Sequence, residues 1–265
     1  MLAWIYMWLF VFGLLLLMPI RPVHASYPEA RLAYQTSYSQ YREAVSNYQV
    51  ARSEYLTYQT LVSRAQAEQS TRELLIDRHE VILRYLDMID ERIQTVSDLY
   101  LDESVRAQIS GKIDVQRKWL VALEPQIQNA ETLDEFVRLS GQTDKQIENI
   151  VAMGYRVHAY VLLSGLQETE ASIGDLLSST TEQVLRVRND SELDGAQLER
   201  WLVDADQKLQ LAQTTIDNAG VSITGIESKE GFDDVRLEMQ RARRHQVEAN
   251  QFLGEIVRNI KIQDE

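Results

Sequence analysis

Residues 198–219 read LERWLVDADQKLQLAQTTIDNA, and their apolar positions decide the fold. Leu198, Leu202, Ala205, Leu209, Ala212, Ile216 and Ala219 follow one another at alternating steps of four and three. On a helix of about 3.6 residues per turn, those steps hold every apolar side chain to one stripe. A strand would alternate every second residue instead. Such a stripe cannot bury itself; it needs a neighbouring helix.

The same rhythm continues downstream in Val235, Met239, Ala242, Gln246, Ala249, Leu253, Ile256 and Ile260, with Gln246 its one polar member. Between the two stripes, residues 220–232 (GVSITGIESKEGF) carry three glycines and read as a long loop. Upstream, residues 143–188 form a further helix through Ile147, Ile150, Val157, Val161, Leu166, Ile173, Leu177, Val184 and Val187. Gly154, Gly165 and Gly174 interrupt it, each at a cost of up to ~1 kcal/mol, so a kink or a close helix approach is expected there. Residues 129–142 read as a linker: Thr132 caps a short helix through Leu139, and Gly141 ends it.

Towards the N-terminus, 82 residues between Pro28 and Gly111 contain neither glycine nor proline. A β protein needs both in its turns, whereas helices exclude them. Tyr27, Tyr34, Tyr41, Tyr48 and Tyr55 recur every seven residues, Val62 extends the row, and Ala44, Ala51, Tyr58 and Ala65 sit three residues on from its later members. A seven-residue period predicts a left-handed supercoil with the tyrosine row in its seam. Ser70-Thr71-Arg72-Glu73 reads as a capping box that starts a second helix, with His79 and Leu75, Ile82, Leu86, Ile89 and Ile93 on its stripe. Asp102 is placed to cap a third, carrying Val105, Ile109, Ile113, Leu120, Leu123 and Ile127, which Pro125 should bend or end.

The expected fold is therefore all-α: an elongated antiparallel helical bundle or coiled coil of about six long helices, arranged as two sets of three. The regions are 1–25, 26–128, the linker 129–142, and 143–265. In size and period each set resembles a spectrin-like three-helix bundle, a resemblance of pattern with no family motif behind it. Helices of this length make rods of ~45–65 Å per set.

Residues 1–20, MLAWIYMWLFVFGLLLLMPI, hold no charged side chain, and VHA-S follows at 23–26. Val23 and Ala25 suit the −3 and −1 positions of a signal-peptidase site, which places cleavage between Ala25 and Ser26. The basic start of a secretory signal is missing. The 19 residues from Leu2 to Ile20 also suffice to cross ~30 Å of hydrocarbon, so an uncleaved N-terminal anchor is the competing reading. Either way the remaining chain is expected outside the cytoplasm, secreted, periplasmic or tethered.

The chain has no cysteine, 27 basic and 40 acidic residues and a net charge of −13. Thiol chemistry is excluded, and a phosphate backbone would be repelled, so no nucleic-acid partner is expected. A membrane is expected only through residues 1–20, should they be retained. His79, His158 and His245 lie far apart, without metal-ligand spacing, and the acids Asp217, Glu227, Glu230, Asp233 and Asp234 lack the calcium-loop pattern. No catalytic residue, cofactor or metal is expected. The apolar run 150–163 reads as a central buried helix in preference to a membrane-inserting element.

Two interaction candidates remain. The tyrosine stripe Tyr34, Tyr41, Tyr48 and Tyr55 is a helix seam, a contact face for a partner helix, a second copy included, or a face on which glycan rings stack. Arg241, Arg243 and Arg244 either pair with acids such as Glu199 and Asp206 or form a docking patch for an anionic partner. The expected function is a non-enzymatic structural or interaction protein of the cell envelope that acts through coiled-coil contacts with a partner or with itself. The alternative is an extracellular or periplasmic holdase or adaptor.

Overall fold

The computed structural model describes residues 26–190 and 195–263. Residues 1–25, with the expected export segment and Ala25, lie outside them. The described chain is all-α, with six helices: α1 (Tyr27–Tyr58), α2 (Leu61–Gln94), α3 (Glu103–Gln128), α4 (Leu133–Asp190), α5 (Gly195–Ile223) and α6 (Lys229–Gln263).

The 58-residue α4 is the spine, about 87 Å long. Its first half packs with α2 and α3, where Ile150, Met153 and Val157 meet Ile82, Leu86, Ile93, Ile113 and Leu120. Its second half packs with α5 and α6, where Ile173 and Val184 meet Leu198, Ala205, Leu253 and Ile256. The run 150–163 is the middle of this helix. Ile150, Met153, Val157, Ala159 and Leu163 are buried between the two sets, and Arg156 turns its Nε–H to the Ile226 carbonyl at 2.8 Å.

Four boundaries differ from the sequence expectation. The 129–142 linker reduces to a turn at 129–132, and Gly141 lies inside α4. Phe136 and Leu139 are 1 % exposed and Thr143 likewise, so the buried stripe runs straight through the glycine. Burial of two large side chains, ~1.5–3 kcal/mol each, outweighs its ~1 kcal/mol propensity cost. The Ser70 capping box is not used. The first break comes ten residues earlier, where Gln59 takes a left-handed φ of 49° and Thr60 caps α2, accepting from the Ser63 N–H at 3.1 Å. Ser70 is buried inside α2. The loop expected over 220–232 shortens to 224–228, because Ile223 and Ile226 are buried against α4 and α6 and carry the chain through the turn. Pro125 sits within α3, which continues three residues beyond it to Gln128.

Asp102 caps α3 as expected, accepting from the Ser104 N–H at 2.7 Å. Beside it, buried Arg106 donates to the Val96 carbonyl at 2.7 Å and pairs with Asp98 and Glu103, tying down the α2–α3 turn. Arg117 of α3 reaches Asp87 at 3.0 Å and Asp90 at 3.5 Å on α2.

Candidate functional site

Among the described residues, α1 touches α2 and no other helix. Its buried positions are Ala30, Ser37, Ala44 and Ala51, a strict seven-residue row of small side chains. The facing end of α2 buries Ser63, Ala67 and Ser70. Interaxial distance is set by the side chains at the contact, so small residues bring the two backbones close. The seam residues themselves bury little apolar area, and the larger contribution on α1 comes from the half-buried tyrosines beside them.

The tyrosine stripe lies beside this seam. Tyr34, Tyr41, Tyr48 and Tyr55 each follow a seam position by four residues and are half-buried along one flank of α1. Tyr34 leans on Tyr38 and on Tyr85 of α2, with ring centroids 6.1 and 5.7 Å apart, and Tyr38 lies 6.5 Å from Tyr41. Arg92 stacks over Tyr27 at 4.6 Å. Burial pushes the Tyr85 hydroxyl up to about 12, with Tyr34 and Tyr155 adding to it. That hydroxyl fills a notch in α4 made by Gly154, where a Cβ would collide with it. Gly154 is therefore the close-approach glycine, and it docks the α1–α2 hairpin onto the spine.

One residue to either side of the seam, the flanks of α1 differ in charge. The positions just after it are Arg31, Tyr38, Val45 and Arg52; those just before it are Glu29, Thr36, Glu43 and Val50. On a helix these fall about 100° to either side of the buried row. Glu43 faces the acidic side of α2: the Asp77 carboxyl is pushed up by its burial, then by Glu73, Glu80 and Glu43. Glu29 also caps the helix, accepting from the Ser26 N–H at 2.8 Å, so Ser26, the residue expected after the cleavage point, is the N-cap of α1.

The far end of the hairpin is apolar and open. Residues 61–71 of α2 run about 16 Å along α1 beyond the turn where Arg72 meets the Ala130 carbonyl at 2.8 Å. Leu56, Tyr58, Leu61 and Val62 are exposed there, Leu61 by 85 %. Val50, Glu54, Leu61, Val62 and Ala65 line a groove of about 830 Å³.

The arginine candidate separates. Arg241, Arg243 and Arg244 are exposed on α6, and no ion pair of theirs is found among the described residues. Only Arg243 joins Arg236, on the rim of a groove of about 770 Å³ between α4 and α6 floored by Leu166, Ile173, Met239 and Val247. Arg241 and Arg244 point about 200° and 100° away around the helix. Gln246, the polar interruption of the sixth stripe, is buried and donates to the Leu166 carbonyl at 2.8 Å.

His79 is buried at 2 % exposure with its Nε2 3.0 Å from Thr143 Oγ1. The Thr143 hydroxyl donates to the Leu139 carbonyl at 3.2 Å, so it accepts from His79 Nε2–H, which fixes the tautomer. Burial, with Arg78 nearby, lowers the imidazole to about 4, so it is neutral at pH 7. Among the described residues no group of three or more His, Cys, Asp and Glu is placed to hold a metal ion, and no helix is long and apolar enough to cross a membrane.

No family model, curated protein or solved structure matches the chain.

Proposed function

We propose that this protein is a non-enzymatic helical scaffold of the cell envelope, working outside the cytoplasm through helix-to-helix contacts made by the α1–α2 hairpin. The observation that carries the reading is the uncovered side of α1. Among the described residues this 32-residue helix packs on α2 alone, and a face of Leu32, Ser39, Ser46, Ser53, Gln49 and Leu56 meets no neighbour there. Uncharged polar faces of this kind lose little on desolvation compared with charged ones. The apolar 1–20 segment supports the compartment.

Two measurements test it. Intact mass from soluble and membrane fractions of an expressing bacterium should show either a species beginning at Ser26 or the whole chain in the membrane. A full-length species in the cytosol would remove the envelope. A photo-crosslinking residue in place of Val50 should give adducts in cells, whereas one in place of Lys112, on α3, should not. Equal yields at both positions would remove the hairpin as the contact element.

The exposed cluster Leu56, Tyr58, Leu61 and Val62 at the hairpin end favours a second reading, a holdase or adaptor that grips unfolded clients. Suppression of client aggregation, lost on Leu61→Ser with Val62→Ser, would select it.

A further inference from the structure

Residues 26–76 carry five arginines (31, 42, 52, 64, 72) and five glutamates (29, 43, 54, 68, 73), a net charge of zero. Residues 77–265 carry 21 basic and 35 acidic residues, a net −14. Two copies repel through most of their surface and meet less of that penalty along α1 and the facing first half of α2; the rest of α2, 77–94, carries three basic and five acidic residues. Within the hairpin the charges are also sorted. Arg31 and Arg52 occupy one flank of α1, Glu29 and Glu43 the other, and no ion pair of Arg31, Arg52, Glu43 or Glu54 is found among the described residues.

We infer that α1 pairs with α1 of a second copy, in parallel, with the arginine flank of each helix against the glutamate flank of the other. This rests on the reading of the hairpin as the contact element and names its partner. The sorting of charge sets the direction. In a parallel two-fold pair, the two unlike flanks meet on both sides of the contact, as charged positions do in a parallel coiled coil. An antiparallel pair would set arginine flank against arginine flank. The face between the flanks is Leu32, Gln35, Ser39, Ser46, Gln49, Ser53 and Leu56, with Arg42 its single charge and Glu43 of the other copy one position away from it. A strip about 48 Å long and ~10 Å wide buries on the order of 1,000 Å² in total, the lower edge of specific interfaces. The pair is therefore weak and concentration-dependent, and all N-termini leave on the same side.

The full-length chain is purified in the form in which cells yield it, and sedimentation velocity is followed through the micromolar range. The wild type should pass from monomer to dimer. Arg31→Glu with Arg52→Glu makes both flanks acidic; Glu43→Arg with Val50→Arg, both one residue before the seam, makes both basic. Each double variant alone should stay monomeric, and an equimolar mixture should recover a 1:1 dimer. A wild type that remains monomeric, or a mixture that does not associate, overturns the pairing. Because charge reversals can disturb folding, cysteine substitution gives an independent check in a chain without cysteine. Leu32→Cys and Leu56→Cys should each form a disulfide-linked dimer with itself. Crosslinks only between the two different variants would show an antiparallel contact and overturn the parallel one. In cells, a photo-crosslinker at Leu32 separates the two levels of the account. An adduct of twice the chain mass supports self-pairing. An adduct with a different protein overturns it while leaving the hairpin as the contact element, and no adduct removes both.

Discussion

The α1–α2 hairpin and the α4–α6 bundle share a heptad-like period and differ in what fills it. The hairpin buries Ala30, Ser37, Ala44 and Ala51 in α1; the bundle buries Ile173, Val184, Leu198, Leu253 and Ile256. At ~25 cal/mol per Å² of apolar area, four small side chains contribute a fraction of what five large ones do. Period alone thus specifies helix pairing, while side-chain volume decides how firmly the pair is held. Small residues pair α1 with α2 and leave one face of α1 uncovered among the described residues, whereas large aliphatics fill the bundle; the proposed contact function rests on that difference.

The contrast is broken most strongly in the bundle. Leu253→Ala, at a fully buried position, should cost ~2–5 kcal/mol in denaturant unfolding. Trimming the hairpin seam has little volume to remove. Enlarging it is what hurts: Ala44→Leu or Ala51→Leu should cost ~1–3 kcal/mol by forcing the helices apart, with the loss confined to α1 and α2. A Leu253→Ala protein as stable as wild type would void the comparison.

Acid probes the spine where the hairpin meets it. His79 titrates near 6.5 when unfolded and at about 4 when folded. Its folded pKa is depressed, so the unfolded chain binds the proton first, and stability falls as pH drops from about 6.5 towards 4, then levels off. The full difference is on the order of 3 kcal/mol. His79→Gln should flatten that part of the stability–pH curve, read as melting temperature at matched ionic strength. An unchanged slope would show that burial does not hold the ring neutral.

Gly154→Ala sharpens the junction. The new methyl meets the Tyr85 hydroxyl, and the cost should be ~1–3 kcal/mol. Tyr85→Phe in the same chain removes the colliding oxygen and should recover part of the loss; a strictly additive double variant would mean that the two side chains do not meet. The smallest effect is a gain. Gln59 holds a left-handed φ of 49°, where glycine is unstrained, so Gln59→Gly should stabilise the hairpin by about 1 kcal/mol.

The all-α architecture was legible from the four-and-three stripes of 198–219 and 235–260 because burial there is carried by large residues that stand out from their neighbours. The hairpin seam was equally periodic and only half legible: Ala44 and Ala51 stand in the expected stripe, Ala30 and Ser37 do not. Ala30, Ser37, Ala44 and Ala51 run parallel to the tyrosine row, but alanine and serine do not register as a core. The tyrosines drew attention to the flank. Continuity of α4 was hidden for a related reason: Gly141 and the polar stretch around it carry stop signals, and Phe136, Leu139 and Thr143 override them through contacts that only the packed helices supply. The sorting of arginines and glutamates on α1 could have been read once the seam was known, since each lies one residue from it. The arginine patch on α6 could not, because helix geometry spreads Arg241, Arg243 and Arg244 over different faces.

Native-state hydrogen exchange, resolved by segment and followed with protein concentration, tests the central claim most directly. In dilute protein, α1 should exchange through an opening of lower free energy than α4, α5 and α6, and its protection should rise as copies pair. Amides of α1 as protected as those of α5 at low concentration, and unchanged at high, would contradict the account of α1 as a lightly held helix completed by contact.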